Sequence, residues 1–174
     1  NCDEIDLEGR MIIAPSIDYI EENYNRSKFD KLSDEPILEL SLQENSEGIK
    51  RLNVQVQYAS YNVQHGWAEV KDQCINSVIN LIKKYSPEIE KSIEGKKFIS
   101  PDDVELDYNV SGGHWHHGEI QIDQLFMLRP IPGASQYKTH LDGLYMCGAG
   151  SHPGGGLSGI PGKNAAQEIL KGTN

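Results

Sequence analysis

A glycine-rich stretch near the end of the chain constrains its fold more than any other feature. Residues 148–159 read GAGSHPGGGLSG, so six of these twelve positions are glycine. Apolar residues 144–147 predict a short strand before this glycine stretch. A helix is predicted after it from Leu157, Ile160, Ala165 and Ile169, with Gly172 as its C-cap. Because glycine amides at a helix N-terminus can meet an anion or an electron-rich ring edge, the arrangement indicates a ligand-binding turn. A glycine-rich surface loop is the alternative that composition leaves open.

The spacing within the glycine stretch excludes two self-contained nucleotide sites. A dinucleotide fingerprint, G-x-G-x-x-G, begins at Gly148 and Gly150, but the next glycine is Gly154, one residue late. No second βαβ unit follows it. A P-loop requires glycine at the position of Leu157 and serine or threonine at the position of Asn164. The features that remain are those that both motifs share: a strand, a glycine-lined turn and a helix.

The rest of the chain predicts a mixed α+β domain. Residues 52–58 alternate apolar and polar side chains, which is typical of a strand with one buried face. An apolar stripe within 67–85 has helical spacing. Further predictions are strands at 12–13, 37–42, 104–108 and 120–122, a helix capped by Ser16, a loop at 25–36 and a surface turn at 43–51. We therefore expect a largely antiparallel sheet with flanking helices up to about residue 125, joined through 129–133 to a different C-terminal piece.

Composition limits the classes of partner. The chain has 26 acidic and 16 basic residues and a formal net charge of −10, which argues against nucleic acid as a partner. No apolar run approaches the roughly 18 residues of a membrane span, and the first residues lack the pattern of a signal peptide. Three widely separated cysteines favour a reducing compartment over a disulfide framework. We expect a cytoplasmic or membrane-peripheral location.

Several segments resemble phytoene-desaturase-like flavoproteins of the amine-oxidase-type FAD superfamily. DGLYMCGAGSHPGGG at 142–156, followed by GKNAA at 162–166, is similar to their C-terminal signature. QLFMLRP at 124–130 resembles the family's block that ends in Arg-Pro, and Tyr108 with the glycine pair at 112–113 resembles another block. Segments 13–20 and 56–61 are similar to a subgroup, the pyridine-nucleotide-disulfide-oxidoreductase-domain proteins. The resemblance covers nearly the whole chain.

The resemblance implies that the glycine stretch contacts FAD. The strand, glycine turn and helix would complete an FAD/NAD(P)-binding Rossmann-like domain. Gly148 and Ala149 would lie near the pyrophosphate or ribityl chain, and residues from His152 to Leu157 nearer the isoalloxazine. The implied cofactor-binding residues are Gly148, Ala149, Gly150, His152, Pro153, Gly154, Gly155, Gly156 and Leu157. Many relatives have an acid at the position of Ala149, where this chain offers only its backbone.

The family's N-terminal dinucleotide-binding unit does not occur in these 174 residues. By resemblance, residues 1–125 would form part of a substrate-binding domain and residues 126–174 would close the FAD domain. We expect the chain alone to bind FAD poorly or not at all and to be inactive by itself. We also expect it to form homo-oligomers through the surface that the missing FAD domain would cover.

Three histidines and an acid lie close together at 114–119, HWHHGE. They could bind a transition metal, but adjacent histidines of a strand point to opposite faces, so we assign no metal. The resemblance instead implies that this segment borders the substrate cavity, where His117 or Glu119 would orient substrate or move a proton. Packing or surface histidines are the alternative.

The resemblance implies the C-terminal part of an FAD-dependent oxidoreductase that takes a hydride from a C–H bond of an apolar or lipid-like substrate. Such chemistry needs neither a nucleophile nor a metal from the protein, since the flavin accepts the electrons. Two alternatives are a non-catalytic module that binds a ligand or partner, and one subunit of a split flavoenzyme.

Overall fold

The computed structural model describes residues 9–114, 117, 121–125 and 128–172. The chain divides after Ser100 into two compact units. The first unit ends at Ser100, the second begins at Pro101, and each is described by itself. The boundary near residue 125, which the resemblance implies between a substrate-binding part and an FAD-closing part, stays a prediction. The completion of a Rossmann-like domain stays a prediction as well.

The first unit contains an antiparallel sheet with the order β1-β2-β3. Its strands are β1 (Arg10–Ile13), β2 (Leu38–Glu44) and β3 (Lys50–Val56). Leu40 pairs with Met11 on one side and with Val54 on the other, so apolar residues of the three strands share one face. This confirms the antiparallel sheet and the alternating strand, although β3 starts and ends two residues earlier than predicted.

The turn between β2 and β3 confirms the predicted surface turn. The Asn45 side-chain oxygen accepts a hydrogen bond from the Ile49 amide at 2.8 Å, and the Asn45 carbonyl accepts from the Gly48 amide at 3.0 Å. Gly48 has a φ of +78°, which glycine adopts without a steric penalty.

Two helices in the first unit were predicted correctly. Helix α1 (Ile17–Ser27) begins at its expected cap, because the Ser16 hydroxyl accepts a hydrogen bond from the Tyr19 amide at 3.1 Å. It continues to Ser27, three residues into the predicted loop. Helix α2 (Trp67–Lys83) contributes Leu81 and Ile82 to a core with Ile13, Leu38, Leu40 and Ile89.

The predicted strand at 104–108 is wrong, because these residues belong to helix α3 (Pro101–Tyr108) in the second unit. A window of five residues fits a period of 2 and a period of 3.6 almost equally well. The residues before it decide the outcome. Proline is favoured in the first turn of a helix, and Asp102 and Asp103 interact favourably with the helix dipole there.

Two further predicted strands are not observed. Ile122 lies in a short 3₁₀ turn, Ile122–Gln124, and Ile120 lies outside the described residues. Residues 144–147 form only a single bridge, between Tyr145 and Lys138. The bridge is supported by hydrogen bonds from the Met146 amide to the Tyr137 carbonyl and from the Thr139 amide to the Leu144 carbonyl. The chain therefore enters the glycine stretch from a short hairpin and not from a longer strand.

Helix α4 (Ile160–Lys171) confirms the predicted C-terminal helix and its Gly172 cap. Gly159 precedes it with a φ of +65°, so the backbone turns sharply before the first helical residue. The helix starts later than its apolar pattern suggested, because Leu157 lies outside it and is fully exposed. None of the helices within the described residues has the length and apolar character needed to cross a membrane.

Candidate cofactor site

The glycine stretch forms a compact turn in its first half. The Ser151 amide donates to the Gly148 carbonyl at 3.0 Å, and the Gly154 amide donates to the Ser151 carbonyl at 2.7 Å. Ser151 is only 1% exposed. Its hydroxyl has no hydrogen-bond partner among the described residues. Since buried hydroxyl groups normally find a partner, this one is an exception within an otherwise well-bonded turn.

A buried arginine holds this half of the glycine stretch. Arg129 is 4% exposed. Its Nε donates to the Gly150 carbonyl at 3.3 Å, and its Nη2 donates to the Ala149 carbonyl at 3.2 Å. A β-carbon built on Gly154 would lie 3.7 Å from the guanidinium, so Gly154 packs directly against it. These contacts of Arg129 were not predicted from the sequence, in which Arg129 is only part of the block that ends in Arg-Pro. The available signal was a single charged residue within the apolar run FMLRPIP.

The same arginine connects the glycine stretch to a predicted catalytic residue. Arg129 Nη2 also donates to the His117 carbonyl at 3.2 Å. His117 is exposed and has a φ of +55°. The structure thus brings the backbones of His117, Ala149 and Gly150 to one guanidinium. Glu119, the other predicted catalytic residue, lies outside the described residues, and a catalytic function for either residue stays a prediction.

A second buried side chain fixes the middle of the glycine stretch. The Tyr137 hydroxyl donates to the His152 carbonyl at 2.7 Å and accepts from Asn164 Nδ2 at 2.8 Å. Tyr137 is 7% exposed and has a φ of +68°, an unfavourable backbone conformation for a bulky residue. Asn164 lies in the second turn of α4, so the Tyr137 hydroxyl links that helix to the glycine stretch.

The second half of the glycine stretch is open to solvent. Gly155, Gly156 and Leu157 are exposed, whereas Gly154 is buried. No atom lies within 4 Å of a β-carbon built on Gly148, Gly150 or Gly156, apart from chain neighbours. Among the predicted cofactor-binding residues, Gly148, Gly155, Gly156 and Leu157 are thus exposed, whereas Ala149, Gly150 and His152 are half-buried. Contact with a cofactor stays a prediction. The other predicted cofactor residue, Pro153, is exposed as well.

A cavity of about 320 Å³ lies in the first unit and is lined by Asn76, Ile79, Asn80, Glu90, Ile93 and Lys96. None of the predicted cofactor-binding residues lines it. Within the described part of the chain, no group of three histidine, cysteine or acidic side chains is arranged to hold a metal ion.

Three titratable groups among the described residues of the first unit have shifted pKa values. Burial raises the pKa of the Cys74 thiol, and burial is also the main cause that raises the pKa of Tyr19. A hydrogen bond from Lys83 lowers the pKa of Glu90. These groups all belong to the first unit.

Three of the curated proteins to which the chain is similar have names that describe redox proteins. "Pyridine nucleotide-disulfide oxidoreductase domain-containing protein 2" from Rattus norvegicus is 37% identical over 118 residues, which are 66% of this chain and 20% of that protein. The protein of the same name from Mus musculus is 32% identical over 148 residues, 80% of this chain and 26% of that protein. A limonene dehydrogenase subunit from Castellaniella defragrans is 27% identical over 125 residues, 71% of this chain and 22% of that protein.

The chain spans about a fifth to a quarter of the length of these curated relatives. No family model matches it, and no solved structure matches it. The similarities support a relationship to oxidoreductases, the general class of protein expected from the sequence. The narrower likeness to phytoene desaturases stays a prediction.

Proposed function

We propose that this chain is the C-terminal part of an FAD-dependent oxidoreductase and that its glycine stretch lies against the flavin. One observation carries this proposal. Arg129 and Tyr137 hold the first half of the glycine stretch in place, while Gly155 and Gly156 stay exposed. A fixed backbone with an exposed glycine surface is suited to close approach by a flat ligand. The redox names of the relatives support the same class of activity.

The residues of this chain would position the reactants. FAD, when bound, supplies the electron acceptor for a hydride that leaves a substrate C–H bond. Gly148, Ala149 and Gly150 would offer backbone groups to the cofactor, and residues 152–157 would border the flavin end. His117 and Glu119 would orient the substrate or move a proton. An apolar or lipid-like substrate agrees with the name of the limonene dehydrogenase relative.

The proposed site needs a second polypeptide segment. The glycine stretch offers one wall, so a dinucleotide-binding unit would supply the rest, either in a longer chain or on a separate polypeptide. One relative is itself named a subunit, which favours a split flavoenzyme as the second candidate. A non-catalytic module that binds an apolar ligand or a partner is the remaining alternative.

Flavin retention tests the proposal. We compare two preparations. The first, called the combined protein, contains this chain together with a dinucleotide-binding region encoded in frame upstream or by an adjacent gene. The second contains this chain alone. We expect the combined protein to keep flavin absorbance after desalting and the chain alone to lose it. Absence of flavin from the combined protein would refute the cofactor assignment. Flavin retained by the chain alone would refute the need for a second segment.

A pair of glycine substitutions tests where the flavin lies. Gly156 (φ +140°) and Gly48 (φ +78°) both have positive φ values and lack crowding neighbours. Alanine costs about 1–2 kcal/mol of backbone strain at the left-handed φ of Gly48. At the φ of Gly156, which lies beyond the left-handed helical region, the cost is about 1–3 kcal/mol. Gly156→Ala should weaken flavin retention by the combined protein, whereas Gly48→Ala should leave it unchanged. Equal retention by both variants would show that the glycine stretch is not at the flavin.

A further inference from the structure

We infer that Arg129 is the positioning residue of the glycine stretch and that it orients the Gly150 amide as a hydrogen-bond donor. This inference deepens the proposed function. It depends on the proposed function only for the identity of the group, FAD, that would accept a hydrogen bond from the Gly150 amide. Arg129 is buried, and its guanidinium donates to the carbonyls of Ala149, Gly150 and His117 at 3.2–3.3 Å. Its bonds therefore reach both the segment expected to contact the cofactor and the segment expected to border the substrate cavity.

The hydrogen bonds of Arg129 fix the direction of the Gly150 amide because the peptide group is planar. The carbonyl of Ala149 and the amide of Gly150 share one planar trans peptide, so they point in opposite directions. Because Arg129 holds that carbonyl, the Gly150 amide points away from the guanidinium. It has no acceptor in the part of the chain that the structure describes. The next peptide is also fixed, since the Gly150 carbonyl binds Arg129 and the Ser151 amide binds Gly148.

The chemistry of this contact requires arginine. A guanidinium is planar, stays charged and has five donors in a fixed fork, so it can hold separated carbonyls at once. A lysine ammonium has three donors at one point on a flexible chain and cannot reproduce that spacing. Gly154 packs against the guanidinium, with a β-carbon position 3.7 Å from it. Packing against Gly154 thus also restrains the Arg129 side chain.

Residue-resolved hydrogen exchange by NMR on the 174-residue chain tests the inference. The informative amides are Ser151 and Gly154, which make the two internal bonds of the glycine stretch. Arg129→Met removes every donor, and Arg129→Lys keeps the charge. Arg26→Met removes an exposed arginine from α1 as a matched control. The amides of α3 and α4 report the stability of the second unit as a whole.

We expect Arg129→Met to accelerate exchange at Ser151 and Gly154 about tenfold or more relative to the helical amides, with a smaller acceleration in Arg129→Lys. Arg26→Met should change neither. If Arg129→Met unfolds the second unit, the test uses Arg129→Lys, in which exchange at Ser151 and Gly154 should still be faster relative to the helical amides. Equal acceleration at the glycine stretch and in α3 and α4 would show a general structural function and overturn the inference. Wild-type exchange in both variants would overturn it too.

The Gly150 amide provides the second readout. In Arg129→Met its ¹H and ¹⁵N chemical shifts should change, because the peptide plane is no longer held. A Gly150 signal identical to that of the wild-type chain would contradict the proposed orientation. These measurements need no flavin. Failure of the combined protein to bind flavin would therefore refute the proposed function and leave the positioning function of Arg129 to be judged by exchange alone.

Discussion

Removal of the Tyr137 hydroxyl tests how strongly the glycine stretch is attached to α4. In Tyr137→Phe the ring stays and two hydrogen bonds disappear: the 2.7 Å bond to the His152 carbonyl and the 2.8 Å bond from Asn164 Nδ2. A neutral hydrogen bond contributes about 0.5–1.5 kcal/mol of net stability. With two bonds lost, we expect the free energy of unfolding of the second unit to fall by about 1–3 kcal/mol.

The assay must report the second unit, because the chain has two compact units that can unfold separately. Urea unfolding followed by circular dichroism gives the overall stability, and hydrogen exchange of the α4 amides gives the local value. Tyr108→Phe is the matched control, since Tyr108 is 70% exposed in the same unit. The control should change stability by less than about 0.5 kcal/mol.

A double-mutant cycle with Asn164→Ala separates the two bonds. Both bonds use the same hydroxyl, so the two substitutions should not be additive, with a coupling energy of about 0.5–1.5 kcal/mol. If Tyr137→Phe has the stability of the Tyr108→Phe control, the Tyr137 hydroxyl does not stabilise the glycine stretch. Strict additivity would contradict the direct bond between Tyr137 and Asn164.

Four further predictions concern stability and thiol chemistry. Ser16→Ala should destabilise the first unit by about 1 kcal/mol in urea unfolding, because the helix cap to the Tyr19 amide is lost. Ser151→Ala should be neutral or stabilising in the same assay, since its buried hydroxyl has no partner among the described residues; a loss of stability above about 1 kcal/mol would contradict this. In a Cys2→Ser background, a thiol reagent should label exposed Cys147 quickly and buried Cys74 only after unfolding. Burial raises the pKa of the Cys74 thiol in the folded chain. The contribution of Cys74 to the free energy of unfolding is therefore complete below the thiol pKa of the unfolded chain, about 8.5, and declines as pH rises through the pKa of the folded chain. Urea unfolding measured at a series of pH values would detect this decline.

The first unit was largely predictable because its elements follow local patterns. The alternation at 52–58 and the apolar stripe of α2 each extend over enough residues to distinguish a strand from a helix. Ser16 was found as a cap because capping depends on neighbours within three residues. Such signals lie within a single segment of sequence, so they do not require knowledge of tertiary contacts.

Short segments of the second unit were predicted poorly for a related reason. Residues 104–108 alternate like a strand, but they extend the helix that begins at Pro101. Residues 144–147 are apolar like a strand, but only Tyr145 forms a bridge. Four or five residues leave the period undetermined, and in that case flanking residues and tertiary contacts select the structure.

The residues that organise the candidate site were missed because their contacts are distant in sequence. Arg129 binds carbonyls 12, 20 and 21 residues away, and Tyr137 binds partners 15 and 27 residues away. Most of the acceptors are backbone carbonyls, which every residue has and which leave no pattern in the sequence. The glycine stretch is therefore visible in the sequence, whereas the side chains that hold it are not.

This pattern of contacts also explains why Ala149 is compatible with the proposed site. The resemblance led us to expect an acid at this position in many relatives, and alanine cannot replace its side-chain oxygen. The structure uses the Ala149 carbonyl instead, as an acceptor for Arg129 at 3.2 Å. That bond uses a backbone carbonyl, which any residue at position 149 would also offer. Orientation of the Gly150 amide then depends on Arg129 and on the planarity of the peptide, so loss of the acid does not by itself disorganise the turn.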